Sequence, residues 1–219
     1  MCSSDLPAAV LFDFGGVLTT SVLDAFGAFS EEVSGDPKLL FELLTGDSPA
    51  ARAFVDHEEG RIAAEDFEES LAAGFASHGV TVPADGLIAG MQRRLRPDPD
   101  MLELVDRVRS LGMGVALVSN SLGRDCYAGF NLDALFDVQA ISGIEGTRKP
   151  SKRLYGIACE RLGVEPTQAI MVDDLSQNIE AAVGLGMGGI VHSSAEETTR
   201  ALGQLLDRDL DATASRSTR

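Results

Sequence analysis

The sequence predicts an α/β fold, a three-layer Rossmann-like parallel sheet with an inserted helical domain, from three observations. Short apolar runs bounded by Gly, Asp or Asn alternate with amphipathic helical patterns. The apolar runs are nearly continuous, which is typical of strands that helices bury on both faces. Roughly one hundred residues separate the first apolar run from the second, far more than a normal crossover connection needs, and this excess predicts an insertion.

Five segments are predicted as strands, and most of the connecting segments as helices. The strands are 8–14, 114–118, 138–141, 169–172 and 189–192. The helices of the sheet domain are 101–111, 154–162, 177–185 and 195–206. Because strand and helix alternate, a parallel sheet with right-handed crossovers follows.

The long connection has a helical pattern of its own, interrupted by Asp-Pro, Ser-Pro and Val-Pro pairs. We therefore predict a sheet domain formed by residues 5–20 and 96–207, with a helical cap at 21–95. Residues 208–219 lack apolar periodicity and are predicted to be a flexible tail.

Composition limits the possible partners. A net charge of −16 argues against nucleic acid, because binding to phosphate backbones requires a basic face. No apolar run reaches the roughly 20 residues of a membrane span, and the first residues do not resemble a secretory signal.

Three cysteines at unrelated spacings fit neither a disulfide framework nor a zinc site, so we expect a reducing, cytoplasmic setting. We expect a monomer or homodimer whose partner is a small anionic molecule, bound at a focused local site.

Candidate functional groups follow the strands one after another. In an open parallel sheet, ligands bind outside the carboxyl ends of the strands, so these positions are inspected first. They hold Asp13, Gly15 and Gly16 after the first strand, Ser119 and Asn120 after the second, Lys149 after the third, and Asp173, Asp174 and Asn178 after the fourth. Paired carboxylates suit Mg²⁺, a hard cation that prefers oxygen ligands. Each group alone is a weak signal, but their ordered appearance at successive strand ends predicts one shared site.

At these residues the chain resembles the haloacid dehalogenase (HAD) superfamily, in the form that carries a helical cap after the first strand. The resemblance extends from residue 8 to about 206, and 148–192 is especially similar to the branch that includes the phosphatase domain of soluble epoxide hydrolases. It implies a Mg²⁺-dependent hydrolase that acts on a small phosphate monoester or acyl phosphate. The expected strand order is 5-4-1-2-3, which places Asp13 beside Asp174.

The resemblance also assigns roles to individual residues. Asp13 matches the nucleophile that forms an aspartyl-phosphate. Ser119 matches the residue that hydrogen-bonds the transferring group, and Lys149 the one that neutralises its charge.

The resemblance gives Asp13, the backbone carbonyl of Gly15 and Asp174 as metal ligands. Asp173 is expected to contact these ligands, or to reach the metal through a water molecule. The expected substrate contacts are Gly16, Asn120 and Asn178.

One position departs from the family pattern. HAD phosphatases usually carry a second aspartate, two residues after the nucleophile, that protonates the leaving oxygen and then activates water. This chain has Gly15 there, and loss of a positioned acid/base typically costs about 10²–10⁴ in rate. Candidate replacements from the cap are His57, Glu58 and Glu59.

Three readings of this departure stay open: a phosphatase with another proton donor, an enzyme whose leaving group needs little protonation (an acyl phosphate or a haloacid), and a non-catalytic binding protein. Halide displacement needs no divalent cation, so the Asp173–Asp174 pair favours phosphoryl transfer. Arg61, Arg93 and Arg94 are candidates for a second anionic group on the substrate.

Overall fold

A computed structural model describes residues 6–123 and 126–210, and its centre is a five-stranded parallel sheet. The strands are β1 (Ala9–Phe12), β2 (Gly114–Ser119), β3 (Val138–Ile141), β4 (Ala169–Asp173) and β5 (Gly188–Val191). Their order is β3-β2-β1-β4-β5, and each neighbouring pair is parallel. The predicted fold class and strand order are confirmed.

The helices in chain order are α1 (Val22–Ser34), α2 (Leu39–Thr45), α3 (Pro49–Glu58), α4 (Ala64–Ser77), α5 (Leu87–Gln92), α6 (Pro99–Ser110), α7 (Leu132–Leu135), α8 (Ser142–Glu145), α9 (Lys152–Leu162), α10 (Ser176–Val183) and α11 (Ala195–Leu206). A short 3₁₀ helix covers Pro166–Gln168. The four predicted helices of the sheet domain correspond to α6, α9, α10 and α11.

The sheet is buried on both faces, as its apolar strands require. Val10 and Phe12 belong to an apolar cluster that includes residues of α6 and α11. Ala9 and Leu11, which point to the opposite face, belong to a second cluster that includes residues of α9 and α10. The alternation along β1 therefore fixes a three-layer arrangement.

Helix α6 illustrates how the local sequence specifies these elements. The Asp98 side chain accepts hydrogen bonds from the backbone N–H groups of Asp100 and Met101, which would otherwise lack a partner in the first turn. Pro99 follows directly, at a position where its missing N–H costs nothing.

Helices α1 to α5 pack around an apolar cluster of their own, which includes Leu40, Phe67, Leu71, Phe75 and Met91. The two chain segments that join this helical unit to the sheet domain run side by side. Thr19 and Pro97 form an antiparallel bridge, and the Thr20 N–H donates to the Arg96 carbonyl at 2.8 Å.

The register of the sheet brings the strand ends to one level. Phe12 pairs with Leu117 on one side and with Val172 on the other. Asp13 therefore leaves the sheet beside Asp173, close to the end of β2.

The end of the chain differs from the prediction. Leu210 is only 5% exposed and packs in the core, and its carbonyl accepts a hydrogen bond of 2.7 Å from the Arg107 guanidinium. The predicted tail is therefore wrong at its first residues, because one apolar side chain after α11 is enough to anchor them; 211–219 lie outside the described residues. Among the helices of the described ranges, none is long and apolar enough to cross a membrane.

Candidate active site

Three carboxylates and one lysine meet at the carboxyl edge of the sheet. The Lys149 ammonium group lies 2.6 Å from Asp13 Oδ1 and 2.7 Å from Asp173 Oδ2, and the lysine is 1% exposed. Asp13, Asp173 and Asp174 each offer an oxygen within 4.8 Å of the others. The cluster therefore holds three carboxylates and one ammonium group, and a bound cation would balance its excess of negative charge.

Asp173 lies at the centre of this cluster and is fully buried. Its Oδ1 accepts hydrogen bonds from the Leu175 N–H and from the Asn178 amide, both at 2.9 Å, while Oδ2 contacts Lys149. These contacts use both oxygens, which favours a role in positioning Lys149 over direct contact with a metal. The Asn178 amide is directed toward Asp173 and the residue is 3% exposed, while its contact with substrate stays a prediction.

Asn120 also contacts the protein itself and not an open site. Its side chain accepts from the Lys149 N–H at 2.8 Å and donates to the Lys149 carbonyl at 3.2 Å. The Lys149–Pro150 peptide bond is cis. Because both ends of the amide contact the Lys149 backbone, Asn120 holds the loop that carries Lys149. Its contact with substrate stays a prediction. Ser119 is 2% exposed, and its hydroxyl donates to the Asn120 carbonyl at a long 3.4 Å.

Gly16 is required next to Asp174 for two reasons. Its φ of +78° is one that residues with a side chain rarely adopt, and a Cβ placed there would lie 2.3 Å from Asp174 Oδ2. Gly15 has a different neighbour: a Cβ at that position would lie 2.6 Å from Val22 Cγ2, at the start of α1.

Burial dominates the electrostatics of the cluster. It raises the pKa of Asp13 to about 8, although Lys149 acts in the opposite direction. It raises the pKa of Asp174 to about 6, with a further contribution from the charge of Asp173. For Lys149, the two carboxylates outweigh burial and raise its pKa, so this group remains a cation. Added positive charge would hold the carboxylates in the ionised form.

The helical unit of α1 to α5, the cap of the prediction, contacts the sheet domain through the end of α3. His57 Nε2 accepts a hydrogen bond from the Gly123 N–H at 3.0 Å, and the Glu58 carbonyl accepts one from the Ser142 hydroxyl at 2.5 Å. The Glu58 carboxylate lies 2.9 Å from Arg148 Nε without the alignment of a hydrogen bond. Burial raises the pKa of Glu58 to about 7 against the lowering effect of Arg148 and Lys149.

A cavity of about 850 Å³ lies between the cap and the sheet domain. Cap residues such as Glu65, Glu68 and Asp85 line one side, and Ser121 and Tyr127 line the other. None of the four residues of the carboxylate cluster lines this cavity. Tyr127 is the link between them: it lines the cavity, and its ring packs edge-on against Phe14, the residue after Asp13, at 4.8 Å between centroids.

The cap arginines are paired within the cap. Arg61 lines the cavity but pairs with Asp56 and Glu59. Arg93 and Arg94 both contact Glu32, at 2.7 and 2.8 Å, and neither lines the cavity. The hypothesis that one of them is free for a second anionic group finds no support in this geometry.

The fold and the cluster agree with a match at the level of the whole family. Residues 7–186 match the model of the haloacid dehalogenase-like hydrolases. The chain belongs to this family. It is 30% identical over 206 residues to mouse acyl-CoA dehydrogenase family member 10, a match that covers 90% of the chain but only 19% of that much longer relative. It is 26% identical to the sesquiterpene phosphatase AstK of Aspergillus oryzae, over 90% of the chain and 96% of the relative.

Solved structures of this family have the same fold. A HAD family enzyme of Bacteroides thetaiotaomicron, in complex with magnesium and inorganic phosphate, aligns with a TM-score of 0.62 at 20% identity, over 85% of this chain and 94% of that one. The L-2-haloacid dehalogenase of Xanthobacter autotrophicus aligns with the same TM-score at 22% identity, over 91% and 83%. At these identities the likeness concerns the fold, and it does not separate phosphatase from dehalogenase.

Sequence reasoning missed Tyr127. It lies in the loop after β2, where neither strand nor helix periodicity applies, and no motif includes it. Only its position eight residues after Ser119, in a loop that starts at the carboxyl edge of the sheet, could have marked it for inspection.

Proposed function

We propose that this HAD-family hydrolase is a Mg²⁺-dependent phosphatase that cleaves a small phosphate monoester or acyl phosphate through an aspartyl-phosphate on Asp13. The observation that carries the proposal is the buried cluster of three carboxylates around Lys149. Displacement of a halide requires no such concentration of carboxylates, whereas phosphoryl transfer uses a divalent cation to offset phosphate charge. A phosphatase among the relatives, and a family member of similar fold with bound magnesium and phosphate, support the same reaction class.

The donor set fits Mg²⁺, with Asp13, Asp174 and the Gly15 carbonyl as the proposed ligands. Carboxylate and carbonyl oxygens are its preferred ligands, and the close approach of Gly16 to Asp174 leaves no room for a side chain between them. Mg²⁺ bound there would supply charge neutralisation for the anionic substrate.

The proposed chemistry of the chain itself has two steps. The Asp13 carboxylate attacks phosphorus, and the bond from phosphorus to the leaving oxygen breaks. A monoester releases an alcohol, whose oxygen takes a proton from an acid of the site, and an acyl phosphate releases a carboxylate. A water molecule then attacks phosphorus, which releases inorganic phosphate and restores Asp13. Lys149 holds the Asp13 carboxylate in place and stabilises charge on the phosphoryl oxygens, and the Ser119 hydroxyl hydrogen-bonds the transferring group. Asp173, Asn178 and Asn120 would keep Lys149 in position.

The cavity favours a substrate with one phosphate and no second anionic group. Its lining includes the three acidic side chains named above, and Arg61, the one arginine or lysine among the lining residues that the structure describes, is already paired within the cap. A second phosphate or a carboxylate would therefore meet repulsion. The volume suits a metabolite-sized or larger organic group.

The decisive experiment measures phosphate release from a panel of monoesters and from acetyl phosphate, with Mg²⁺ and with EDTA. Glucose 1-phosphate is compared with glucose 1,6-bisphosphate, and glycerol 2-phosphate with 2-phosphoglycerate. We expect phosphate release that depends on Mg²⁺. Asp13→Asn should abolish it while leaving the thermal stability nearly unchanged. In each pair, the compound whose phosphate is its single anionic group should be preferred.

Other outcomes have definite meanings. Chloride release from 2-chloropropionate without phosphate release would establish the dehalogenase. Binding of phosphate without turnover of any compound would establish a binding protein. Faster cleavage of the compounds with a second anionic group would overturn the proposed substrate class but not the phosphatase activity.

A further inference from the structure

The proposed reaction needs a proton donor that position 15 does not provide. The three cap residues considered as replacements are engaged elsewhere. His57 accepts from Gly123 at Nε2, and its Nδ1 lies 3.5 Å from the Ile62 carbonyl. Glu58 forms an ion pair with Arg148 at 2.9 Å, although its Oε2 has no aligned hydrogen bond, and Glu59 pairs with Arg61. Each of them would have to break a contact of the closed cap before it could serve.

The Tyr127 hydroxyl is a buried polar group near the site and takes no part in an ion pair. It is shielded from solvent, and no described residue reaches it with ordinary hydrogen-bond geometry. A buried hydroxyl without an aligned hydrogen bond destabilises the folded state, so a ligand that completes its hydrogen bonding would explain its presence.

The surroundings of this hydroxyl point to the phosphoryl site. The Tyr127 ring packs against Phe14, and Tyr127 lines the cavity that we assign to the leaving group. Ser119 and Asp13 are both close enough to act on its ionisation, yet the two hydroxyls of Tyr127 and Ser119 do not meet at hydrogen-bond geometry. Tyr127 therefore contacts both the neighbour of the proposed nucleophile and the cavity.

We propose that Tyr127 is the catalytic acid and base of this enzyme, in place of the aspartate that Gly15 replaces. The inference rests on the phosphatase function proposed above. As Asp13 bonds to phosphorus and the ester P–O bond breaks, the phenol proton passes to the leaving oxygen, which departs as the alcohol. The resulting tyrosinate then takes a proton from the water that attacks the aspartyl-phosphate. Phosphate leaves, and Asp13 and Tyr127 return to their starting states.

A buried tyrosine can hold the proton in the first half of this cycle and take one in the second. Burial, with smaller contributions from Cys126 and Asp13, raises the pKa of Tyr127 well above its ordinary value. The hydroxyl therefore carries its proton at neutral pH, and an alkoxide leaving group is basic enough to accept it. The tyrosinate is in turn a strong base toward water.

The test compares leaving groups in Tyr127→Phe, which keeps the ring that packs on Phe14. Ethyl phosphate releases a strongly basic alkoxide, whereas p-nitrophenyl phosphate releases a stable phenolate that needs no proton. We expect kcat/KM for ethyl phosphate to fall by about 10²-fold or more, with kcat/KM for p-nitrophenyl phosphate nearly unchanged. Slow hydrolysis of the intermediate should also produce a burst of p-nitrophenol equal to the enzyme concentration.

Tyr155→Phe is the matched control, because Tyr155 is the other tyrosine of the chain and its buried hydroxyl donates to the Asn178 carbonyl. This variant should leave the ratio of the two kcat/KM values unchanged. Equal losses on both substrates in Tyr127→Phe, or no loss on ethyl phosphate, would overturn the role of Tyr127 alone. Failure of the wild type to cleave either substrate would instead overturn the phosphatase assignment, and this inference with it.

Discussion

Adding a side chain at position 15 should destabilise the protein through one contact, that with Val22. A Cβ there would lie 2.6 Å from Val22 Cγ2, closer than real Cβ contacts. Val22 is half-buried at the first position of α1, and its branched side chain has little rotamer freedom in a helix. Gly15→Ala, which adds only this carbon, should therefore cost about 1–3 kcal/mol, the usual range for overpacking.

The assay is thermal or urea unfolding of Gly15→Ala, Val22→Ala and the double variant. At roughly 2–4 °C per kcal/mol for a domain of this size, Gly15→Ala should lower Tm measurably, and Val22→Ala should lower it modestly. The double variant should be more stable than the sum of the two single losses implies, because removal of the valine methyls relieves the clash. Additive losses, or a Gly15→Ala variant as stable as the wild type, would refute the reasoning.

The same contact governs restoration of the missing acid. Gly15→Asp alone brings the clash together with the carboxylate, so its stability should fall, whereas Gly15→Asp in the Val22→Ala background should fold well. In that background the new carboxylate should raise kcat/KM for ethyl phosphate, most clearly when Tyr127→Phe has removed the proposed acid. If the carboxylate fails to rescue Tyr127→Phe, its geometry does not reach the leaving oxygen.

Two further predictions concern buried charge. Because burial raises the pKa of Glu58 from 4.5 to about 7, the folded protein binds this proton more tightly than the unfolded chain. The wild type should thus lose up to about 3 kcal/mol of stability relative to Glu58→Gln as pH rises from about 4.5 to about 7. Urea unfolding at pH 5 and pH 8 measures this difference. If the free energies of unfolding of the two proteins change equally with pH, the explanation is wrong. Lys149→Met keeps the volume but leaves Asp13 and Asp173 facing each other without a cation. It should cost about 3–5 kcal/mol in urea unfolding at neutral pH, because the carboxylates lose their shared cation. A loss below about 1 kcal/mol would argue against the charge explanation.

The sequence predicted the sheet well because its strands are buried on both faces and read as continuous apolar runs. The ends of β1 were the exception: the run 8–14 includes Asp13 and Phe14, whereas the strand is Ala9–Phe12. Phe14 is buried in the loop, under Tyr127 and Phe130, so apolar character there reflects packing and not pairing. The short helices α7 and α8 were missed, since four residues show no helical period.

The residues of the site were predicted more completely than their contacts. Order along the strand ends places Asp13, Lys149 and Asp174 together, because parallel strands end at one edge. The order of residues cannot show that the Asn120 amide forms two hydrogen bonds with the backbone of Lys149, 29 positions later, since those bonds depend on how two loops meet. Nor can it show that the cap arginines are paired, which depends on side-chain positions across helices.

The cap explains why position 15 has no side chain and where the missing chemistry must lie. Helix α1 begins at Val22, and the Ser21 side chain fixes its first turn through the Asp24 N–H at 3.1 Å. With this start, Val22 Cγ2 occupies the space that a side chain at position 15 would need. The β2 loop offers another approach to the phosphoryl group, because Tyr127 packs on Phe14 there and lines the cavity. On this argument Gly15, Val22 and Tyr127 form one functional unit, and a change at one of them should alter the effect of a change at the others.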